Sequence, residues 1–192
     1  MKSQKHFGAF YDKGSKVLIL GSFPSKVSLK AGFFYQNRSN RFWSILGALF
    51  ETPKLADKPN DEKKAFLKAH KIALYDIWVE CFYKKSNSNA DTNIDEVRSK
   101  RADLSELLRA AKIEKIFTAI GGSQRSKAPR GGRFKKWGVE KWLWNEYREF
   151  FPHCKAPSEL VVPLYSTSNR SPKTNEELIE DYRQIKEILA KG

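Results

Sequence analysis

Two short loops that are rich in small and hydroxyl-bearing residues lie far apart in this sequence. The first, residues 21–25, reads Gly-Ser-Phe-Pro-Ser and follows the apolar run at 17–20. The second, residues 165–170, reads Tyr-Ser-Thr-Ser-Asn-Arg and follows the apolar run at 160–164. Loops that leave the carboxyl ends of parallel strands converge on one crevice, where open α/β proteins bind ligands. We therefore expect the loops to face each other across a site whose hydroxyls suit phosphate contacts.

The segments that must position these loops alternate between strand and helix patterns. Strands are predicted at residues 17–21, 72–76, 113–120 and 160–164, because each is short, apolar and followed by turn or polar residues. Helical patterns lie between them. This alternation predicts an α/β fold in which a central, mostly parallel four-stranded sheet carries helices on both faces, a three-layer sandwich. We expect residues 1–192 to form one domain.

The helix boundaries follow from capping residues. One helix is predicted at residues 40–50 with Ser39 as its cap, and another runs to residue 70 from an Asn60 cap. A third pattern covers 104–111. Thr174 followed by Glu177 fits a capping box before a closing helix that reaches residue 189. Residues 84–93 and 123–138 are predicted to be loops.

The charge balance favours a polyanionic partner. Lys and Arg number 36 against 22 Asp and Glu, a net charge of +14. Such an excess fits capture of DNA or RNA, although a well-solvated basic surface also accounts for it. Residues 115–148 carry nine Lys or Arg and two Glu, interleaved with Trp137, Trp142 and Trp144. These indoles could stack bases, but their place near a helix pattern favours packing.

Cysteine and histidine are too sparse for several classes of site. The chain has two Cys, neither in a C-x-x-C, and three His that stand singly. A disulfide framework, a zinc ribbon or an iron–sulfur cluster is therefore not expected, and we predict neither a metal nor a cofactor. The polar start lacks an apolar leader segment, and no run is long enough to cross a bilayer. We expect a soluble, monomeric protein that is cytoplasmic, or nuclear in a eukaryote.

The order of the motifs resembles that of the uracil-DNA glycosylase superfamily, and in particular its hypoxanthine (deoxyinosine) branch. The shared segments run from the first strand to the last loop and are as follows: Gly21 to Pro24 for G-S-F-P, Ser28, Asn40 to Trp43 for N-R-F-W, Leu74-Tyr75-Asp76 for L-Y-D, Asp91 to Ile94 for D-x-x-I, and Ser166-Thr167-Ser168 for S-T-S. The resemblance implies the fold of that superfamily. It also implies that the protein is a DNA glycosylase that needs no metal. Such an enzyme removes a deaminated base, hypoxanthine or uracil, in base excision repair.

The resemblance also implies roles for the first loop and the segment after it. Much of the superfamily holds the attacking water with Asp or Asn two residues after the motif glycine, where this chain has Phe23. The hypoxanthine branch shares this loss and assigns the catalytic role to the asparagine of N-R-F-W, so the resemblance implies that Asn40 orients the water through its carbonyl oxygen. Without the resemblance, Asn40 would be interpreted as a helix-start residue. Tyr35 would stack on the extruded base. The turn from Gly21 to Pro24 would bind it through the backbone N–H groups of Ser22 and Phe23.

The last loop would contact DNA. The hydroxyls of Ser166, Thr167 and Ser168 would grip phosphates, and Asn169 and Arg170 follow where related enzymes insert a wedge into the base stack. Arg170 can fill the vacated space, but it could instead be a solvated turn residue. We expect Asp76 and Asp91 to be structural.

The chain also departs from the branch pattern, and this leaves other functions open. Gln36-Asn37-Arg38-Ser39 replaces the usual G-H-P-R, Asn169-Arg170 replaces Pro-Ala, and the loop at 121–125 lacks the usual Asn-Gly. One alternative is a nucleic-acid-binding module that keeps the fold with weakened catalysis. Another is a hydrolase of a free nucleotide-like substrate, which fits the net charge of +14 less well.

Overall fold

The computed structural model describes residues 3–85, 91–120 and 132–191. The strands in chain order are β1 (Gln4–Lys5), β2 (Val17–Gly21), β3 (Ile72–Asp76), β4 (Trp78–Cys81), β5 (Lys100–Arg101), β6 (Lys115–Thr118) and β7 (Val161–Pro163). The helices are α1 (Lys26–Ala31), α2 (Phe42–Leu49), α3 (Asn60–Ala69), α4 (Ser105–Ala110), α5 (Gly132–Lys136), α6 (Val139–Tyr147), α7 (Pro157–Leu160) and α8 (Asn175–Ala190). Short 3-10 turns cover Leu55–Asp57, Asp91–Asn93 and Arg148–Phe150.

The predicted four-stranded sheet is confirmed. Its order is β3-β2-β6-β7, and every neighbouring pair is parallel. β2 and β3 have the predicted bounds, whereas β6 and β7 are shorter than the apolar runs that predicted them. The register places Gly21 beside Asp76, and Thr118 beside Pro163. The carboxyl ends of all four strands therefore lie along one edge.

Alternate residues of β2 enter two separate apolar cores. Leu18 and Leu20 pack in a core on one face of the sheet with side chains of α4 and α6, while Val17 and Ile19 pack on the other face with side chains of α2, α3 and α8. All four are fully buried. This follows from the two-residue repeat of a strand, and it gives the expected three layers.

The helix starts agree in part with the predictions. The capping box before α8 is confirmed, because Thr174 Oγ1 accepts the N–H of Glu177 and the Glu177 carboxylate accepts the N–H of Thr174. The predicted Asn60 cap is wrong, since Asn60 is the first residue of α3 and Pro59 precedes it as the cap. Ser39 does not cap α2, which begins at Phe42.

A second, antiparallel sheet was not predicted. Its order is β1-β4-β5, and β1 and β5 are only two residues long, too short for an alternating pattern to be visible. β4 begins two residues after β3, so this small sheet starts at the carboxyl edge of the large one. It brings the amino-terminal segment to that edge.

The basic, tryptophan-rich region is largely helical where the structure describes it after residue 131. Trp137 and Trp142 are 4% and 7% exposed, and the packing interpretation is confirmed for both. The loop prediction for 123–138 is wrong over α5, and residues 121–131 lie outside the described residues. The guanidinium of Arg101 lies over the indole rings of Trp78 and Trp142, 5.4 and 5.0 Å from their centroids. Within the described ranges, no helix combines the length and apolar character needed to span a bilayer.

Candidate active site

The site begins where β2 ends, at a glycine that lies very close to two polar side chains. A Cβ placed on Gly21 would be 2.0 Å from Asp76 Oδ1 and 3.0 Å from the Tyr35 hydroxyl. A carbon atom has no room there, so the position requires glycine. This close approach brings the first loop, the end of β3 and the segment before α2 together.

The next turn leaves two backbone donors free. The N–H groups of Ser22 and Phe23 donate to no group in the described part of the chain, while the carbonyl of Ser22 accepts the N–H of Trp78 at 3.1 Å. The Phe23 side chain is 9% exposed and packs in the core, with its ring 6.2 Å from that of His6. Pro24 is buried as well. What this turn offers to a ligand is therefore backbone rather than side chain.

Tyr35 stacks against the first residue of α2. Its ring centroid lies 3.8 Å from that of Phe42, with 15° between the planes, so one ring face is covered. The residue is only partly buried, but its hydroxyl is buried and has no hydrogen-bond partner among the described residues. Burial, with a smaller contribution from Asp76, raises the pKa of this hydroxyl. Its φ of +54° is a strained backbone conformation of the kind that clusters at functional sites.

Asn40 is held in one orientation by two donors. Its Oδ1 accepts the N–H of Phe42 at 2.9 Å and the hydroxyl of Thr167 at 2.8 Å. A carbonyl oxygen has two lone pairs, and both are used here. The Nδ2 group, in contrast, has no partner within the described ranges and can donate two hydrogen bonds to a ligand. This differs from the expectation that the oxygen of Asn40 faces the attacking water.

Thr167 joins the last loop to the helix start. The residue is 1% exposed, so its hydroxyl serves Asn40 and is not presented to a phosphate, contrary to our expectation. The hydroxyl of Tyr182 on α8 lies beside that of Thr167 and donates to the carbonyl of Tyr165 at 3.1 Å. Asp181 accepts the N–H of Tyr165 at 2.7 Å. α8 thus fixes the beginning of this loop, which in turn fixes the amide of Asn40.

The rest of the last loop turns outward. The N–H of Ser168 donates to Ser166 Oγ at 3.2 Å, and that of Arg170 donates to Ser168 Oγ at 3.3 Å. Asn169 and Arg170 are exposed at the tip. The serine hydroxyls therefore shape the turn, and the exposed tip carries a cation.

Asp91 connects the first loop to the basic region. Its Oδ1 accepts the hydroxyl of Ser22 at 2.8 Å, and its Oδ2 lies 3.4 Å from an Nη of Arg133. Burial raises the pKa of Asp91, whereas Arg133, Ser22 and the charge of Arg170 lower it. Since the charge of Arg170 acts on Asp91, which binds Ser22, the tip of the last loop lies near the first loop. The expected structural role of Asp91 is consistent with these contacts.

His6 and Asp76 form a buried pair that the sequence patterns did not reveal. His6 Nδ1 accepts the N–H of Gly8 at 2.7 Å, so Nε2 carries the proton and donates to Asp76 Oδ2 at 2.9 Å. Their side chains are 2% and 6% exposed. Burial raises the pKa of Asp76, and the bond from His6 partly opposes that rise. A lone histidine 70 residues before its partner gives no signal of such a pair in the sequence.

The described residues offer no evident metal centre. Within the part of the chain that the structure describes, no three His, Cys, Asp or Glu side chains gather in a group that could hold a metal ion. The polar atoms of the site are instead amide, hydroxyl and backbone groups. These suit hydrogen bonds to a base and to phosphates.

A model of the uracil DNA glycosylase superfamily matches residues 8–190. The chain belongs to this superfamily. The match contains Gly21, Tyr35, Asn40, Asp76 and the last loop, whereas His6 precedes it. Membership confirms the resemblance drawn from the ordered motifs.

Two curated relatives are both named hypoxanthine DNA glycosylase. A hypoxanthine DNA glycosylase of Methanosarcina acetivorans is 36% identical over 76 residues, which are 39% of this chain and 47% of the relative. One from Methanosarcina barkeri is 32% identical over 96 residues, which are 50% of this chain and 58% of the relative. The chain thus spans about half the length of the curated relatives it matches.

A solved structure shares the fold over nearly the whole length. The solution NMR structure of a candidate uracil DNA glycosylase from Methanosarcina acetivorans superposes with a TM-score of 0.67. It covers 96% of this chain and 99% of its own, at 23% identity. This likeness confirms the predicted uracil DNA glycosylase-like α/β fold.

Proposed function

We propose that this protein is a monofunctional DNA glycosylase that removes a deaminated base, hypoxanthine or uracil, in base excision repair. The observation that carries the proposal is the fixed amide of Asn40, whose Nδ2 group remains available beside the last loop. Superfamily membership and the net charge of +14 support a DNA substrate. The names of the two Methanosarcina relatives favour hypoxanthine.

The proposed reaction begins when the target nucleotide rotates out of the duplex. The oxygen of a water molecule then forms a bond to C1′ of the sugar while the N-glycosidic bond breaks, and the electron pair of the broken bond leaves with the base. The added water loses one proton to solvent and the departing base takes one up, so the products are a free base and a sugar with a hydroxyl at C1′. The sugar becomes positively charged and the base negatively charged in the transition state. Preorganised hydrogen-bond donors stabilise such developing charge strongly, so no strong general base is needed.

In this mechanism Asn40 acts as a donor. Both lone pairs of Oδ1 are engaged by Phe42 and Thr167, so the group that remains for the reaction is Nδ2–H. It would donate to the departing base and stabilise its negative charge. Asn40 would thus resemble an oxyanion-hole donor rather than a holder of water.

The other contacts hold the base. Tyr35 would stack on it with the ring face that Phe42 leaves uncovered, and stacking of this kind contributes about 1 to 3 kcal/mol per base. The free N–H groups of Ser22 and Phe23 would bond a base carbonyl. Hypoxanthine and uracil both offer a carbonyl acceptor, so this contact is compatible with either.

One observation bears on the alternative of a binding module with weakened catalysis. Gln36-Asn37-Arg38-Ser39 replaces the histidine and proline that the branch places before Asn40. The turn is nevertheless held: Asn37 Oδ1 accepts the N–H of Ser39 at 3.1 Å, and the Asn37 carbonyl accepts that of Asn40 at 2.8 Å. These bonds replace the rigidity of proline, which favours retained catalysis.

The test is base release from oligonucleotides that carry uracil, hypoxanthine, xanthine or a thymine mismatch. Asn40→Ala should slow single-turnover excision by at least about 100-fold while DNA binding stays nearly constant. Asn145→Ala, which truncates an exposed asparagine on α6, is the matched control and should excise normally. DNA binding without base release from any lesion would support the binding module instead.

A further inference from the structure

The residue after Asn40 makes an unusual set of contacts with the last loop. One Nη of Arg41 donates to the carbonyls of Ser168 and Ser171 at 3.2 and 3.4 Å. The other donates to the carbonyl of Lys173 at 2.6 Å and to Asn175 Oδ1 at 3.3 Å. A single side chain thus binds four acceptors.

The backbone of Arg41 binds the same loop. Its N–H donates to the carbonyl of Thr167 at 2.9 Å. The guanidinium Nε is buried and has no partner among the described residues, which carries a free-energy cost. The bonds of the two Nη groups offset that cost. The planar guanidinium of arginine has five N–H donors and can bind several carbonyls that lie in different directions. Lysine lacks this geometry.

These contacts determine where the tip of the loop points. The N–H of Ser171 donates to the carbonyl of Ser168 at 2.8 Å, which closes a turn, and Arg41 draws both carbonyls of that turn inward. Arg170 is the third of the four residues in this turn, and its side chain is exposed. With the carbonyls held on the protein side, the loop presents Arg170 on the outside.

We propose that Arg41 is a positioning residue for opening the duplex: it holds the turn at residues 168–171 so that Arg170 enters the base stack while Asn40 meets the extruded base. Because Arg41 is the next residue after Asn40, it fixes the distance between the side-chain amide of Asn40 and the tip of the last loop at Arg170. This inference rests on the proposed glycosylase function. Arg41 itself is not a phosphate contact, since its Nη groups are engaged by the loop.

The test compares excision from duplex and single-stranded oligonucleotides of one sequence under single-turnover conditions. Arg41→Ala should slow excision from the duplex at least about 10-fold, the scale of losing one charge-assisted hydrogen bond, and slow it much less on the single strand. Arg41→Lys keeps the charge but loses the fork, so it should show the same selective loss. Arg38→Ala removes one charge from an exposed side chain nearby and should leave the ratio of the two rates unchanged.

A double-mutant cycle separates positioning from general structural support. Arg41→Ala combined with Arg170→Ala should be no slower on the duplex than Arg170→Ala alone, because the position of the tip no longer matters once its side chain is gone. If the double variant slows excision from the duplex by the product of the two single effects, the inference is wrong. Equal slowing of Arg41→Lys on both substrates would overturn it too, since the side chain would then support the fold or Asn40 alone.

A second readout does not depend on base release. The fluorescence of 2-aminopurine beside the lesion rises when the stack opens, and Arg41→Ala should reduce this rise in the bound duplex. If the wild type releases no base from any lesion, the proposed function is wrong, and this signal still reports on Arg41. An unchanged fluorescence rise in Arg41→Ala would show that the inference itself is wrong.

Discussion

At the scale of single residues, the site depends on which atom of a side chain faces the ligand. Asn40 presents a donor because Thr167 and Phe42 occupy its oxygen. Asp76 presents little to solvent because His6 and Gly21 enclose it. In both cases a neighbour from another part of the chain decides what the group can do.

Thr167 provides the test of that orientation. Thr167→Val removes the hydroxyl, so the amide of Asn40 loses one of its two anchors and can turn. Single-turnover excision should fall about 10- to 100-fold, the effect of one lost hydrogen bond on a positioned group. Thr167→Ser keeps the hydroxyl and should restore most of the rate. An unchanged rate in Thr167→Val would mean that the hydroxyl does not orient Asn40, and a serine variant as slow as the valine variant would mean that the hydroxyl alone does not restore the orientation.

Asp76 provides a prediction about pH. Burial raises its pKa above the ordinary 3.8 in the folded protein, so the folded state prefers the neutral carboxyl. Its contribution to stability is therefore complete below the unfolded-state pKa and is lost as the pH rises through the folded-state pKa. Asp76→Asn keeps an acceptor for His6 without the charge.

Urea unfolding from pH 4 to 8, the approximate span in which a raised carboxyl pKa has its effect, measures this difference. Asp76→Asn should be more stable than the wild type at neutral pH, and the gain should shrink as the pH falls. Asp57→Asn, at an exposed carboxylate, is the control. A less stable Asp76→Asn at neutral pH would mean that the bond with His6 outweighs the cost of burial.

At the scale of elements, the last loop combines a rigid base with an exposed tip. α8 holds its beginning through Asp181 and Tyr182, and its hydroxyls form the turn that carries Arg170. The capping box of Thr174 fixes the start of α8 directly after this loop. The loop is therefore positioned by a helix, which gives more precision than a free segment would have.

Arg170→Ala tests what the tip does. If Arg170 fills the space left in the stack, its loss should slow excision from duplex DNA much more than from a single strand, which avoids a cost of a few kcal/mol for opening the pair. Lys173→Ala, three residues beyond Arg170, also removes one positive charge; it is the control and should change both rates alike. Equal slowing of Arg170→Ala on both substrates would make Arg170 a phosphate contact, and no slowing would make it a solvated turn residue.

At the scale of the whole molecule, the site lies at one edge of the sheet, whereas the net charge is a property of the whole chain. The net charge of +14 favours binding to a polyanion regardless of its sequence. In the proposed function, affinity for DNA and selection of the base are thus separate properties. The first comes from many lysines and arginines, and the second from a few groups at the sheet edge.

The salt dependence of binding checks the first property. Each neutralised phosphate releases counterions, so the affinity for duplex DNA should fall steeply between about 50 and 200 mM salt. Fluorescence anisotropy with an undamaged duplex measures it, and circular dichroism over the same range controls for unfolding. A flat response would contradict a nucleic-acid partner.

The sequence by itself determined the features that depend on neighbours in the chain. Apolar runs followed by turn residues located β2 and β3, and Thr174 with Glu177 located the start of α8. The order of the motifs led to the superfamily. These signals are local, because strand alternation and helix capping involve residues only a few positions apart.

Only the tertiary structure decided which groups meet. His6 reaches Asp76 across 70 positions and Asn40 reaches Thr167 across 127, and no periodic pattern records such pairs. The orientation of the Asn40 amide and the hydrogen bonds from Arg41 to the last loop also depend on residues that are distant in the sequence. The physical reason is that hydrogen bonds require distances near 3 Å, which distant residues acquire only when the sheet and helices have packed.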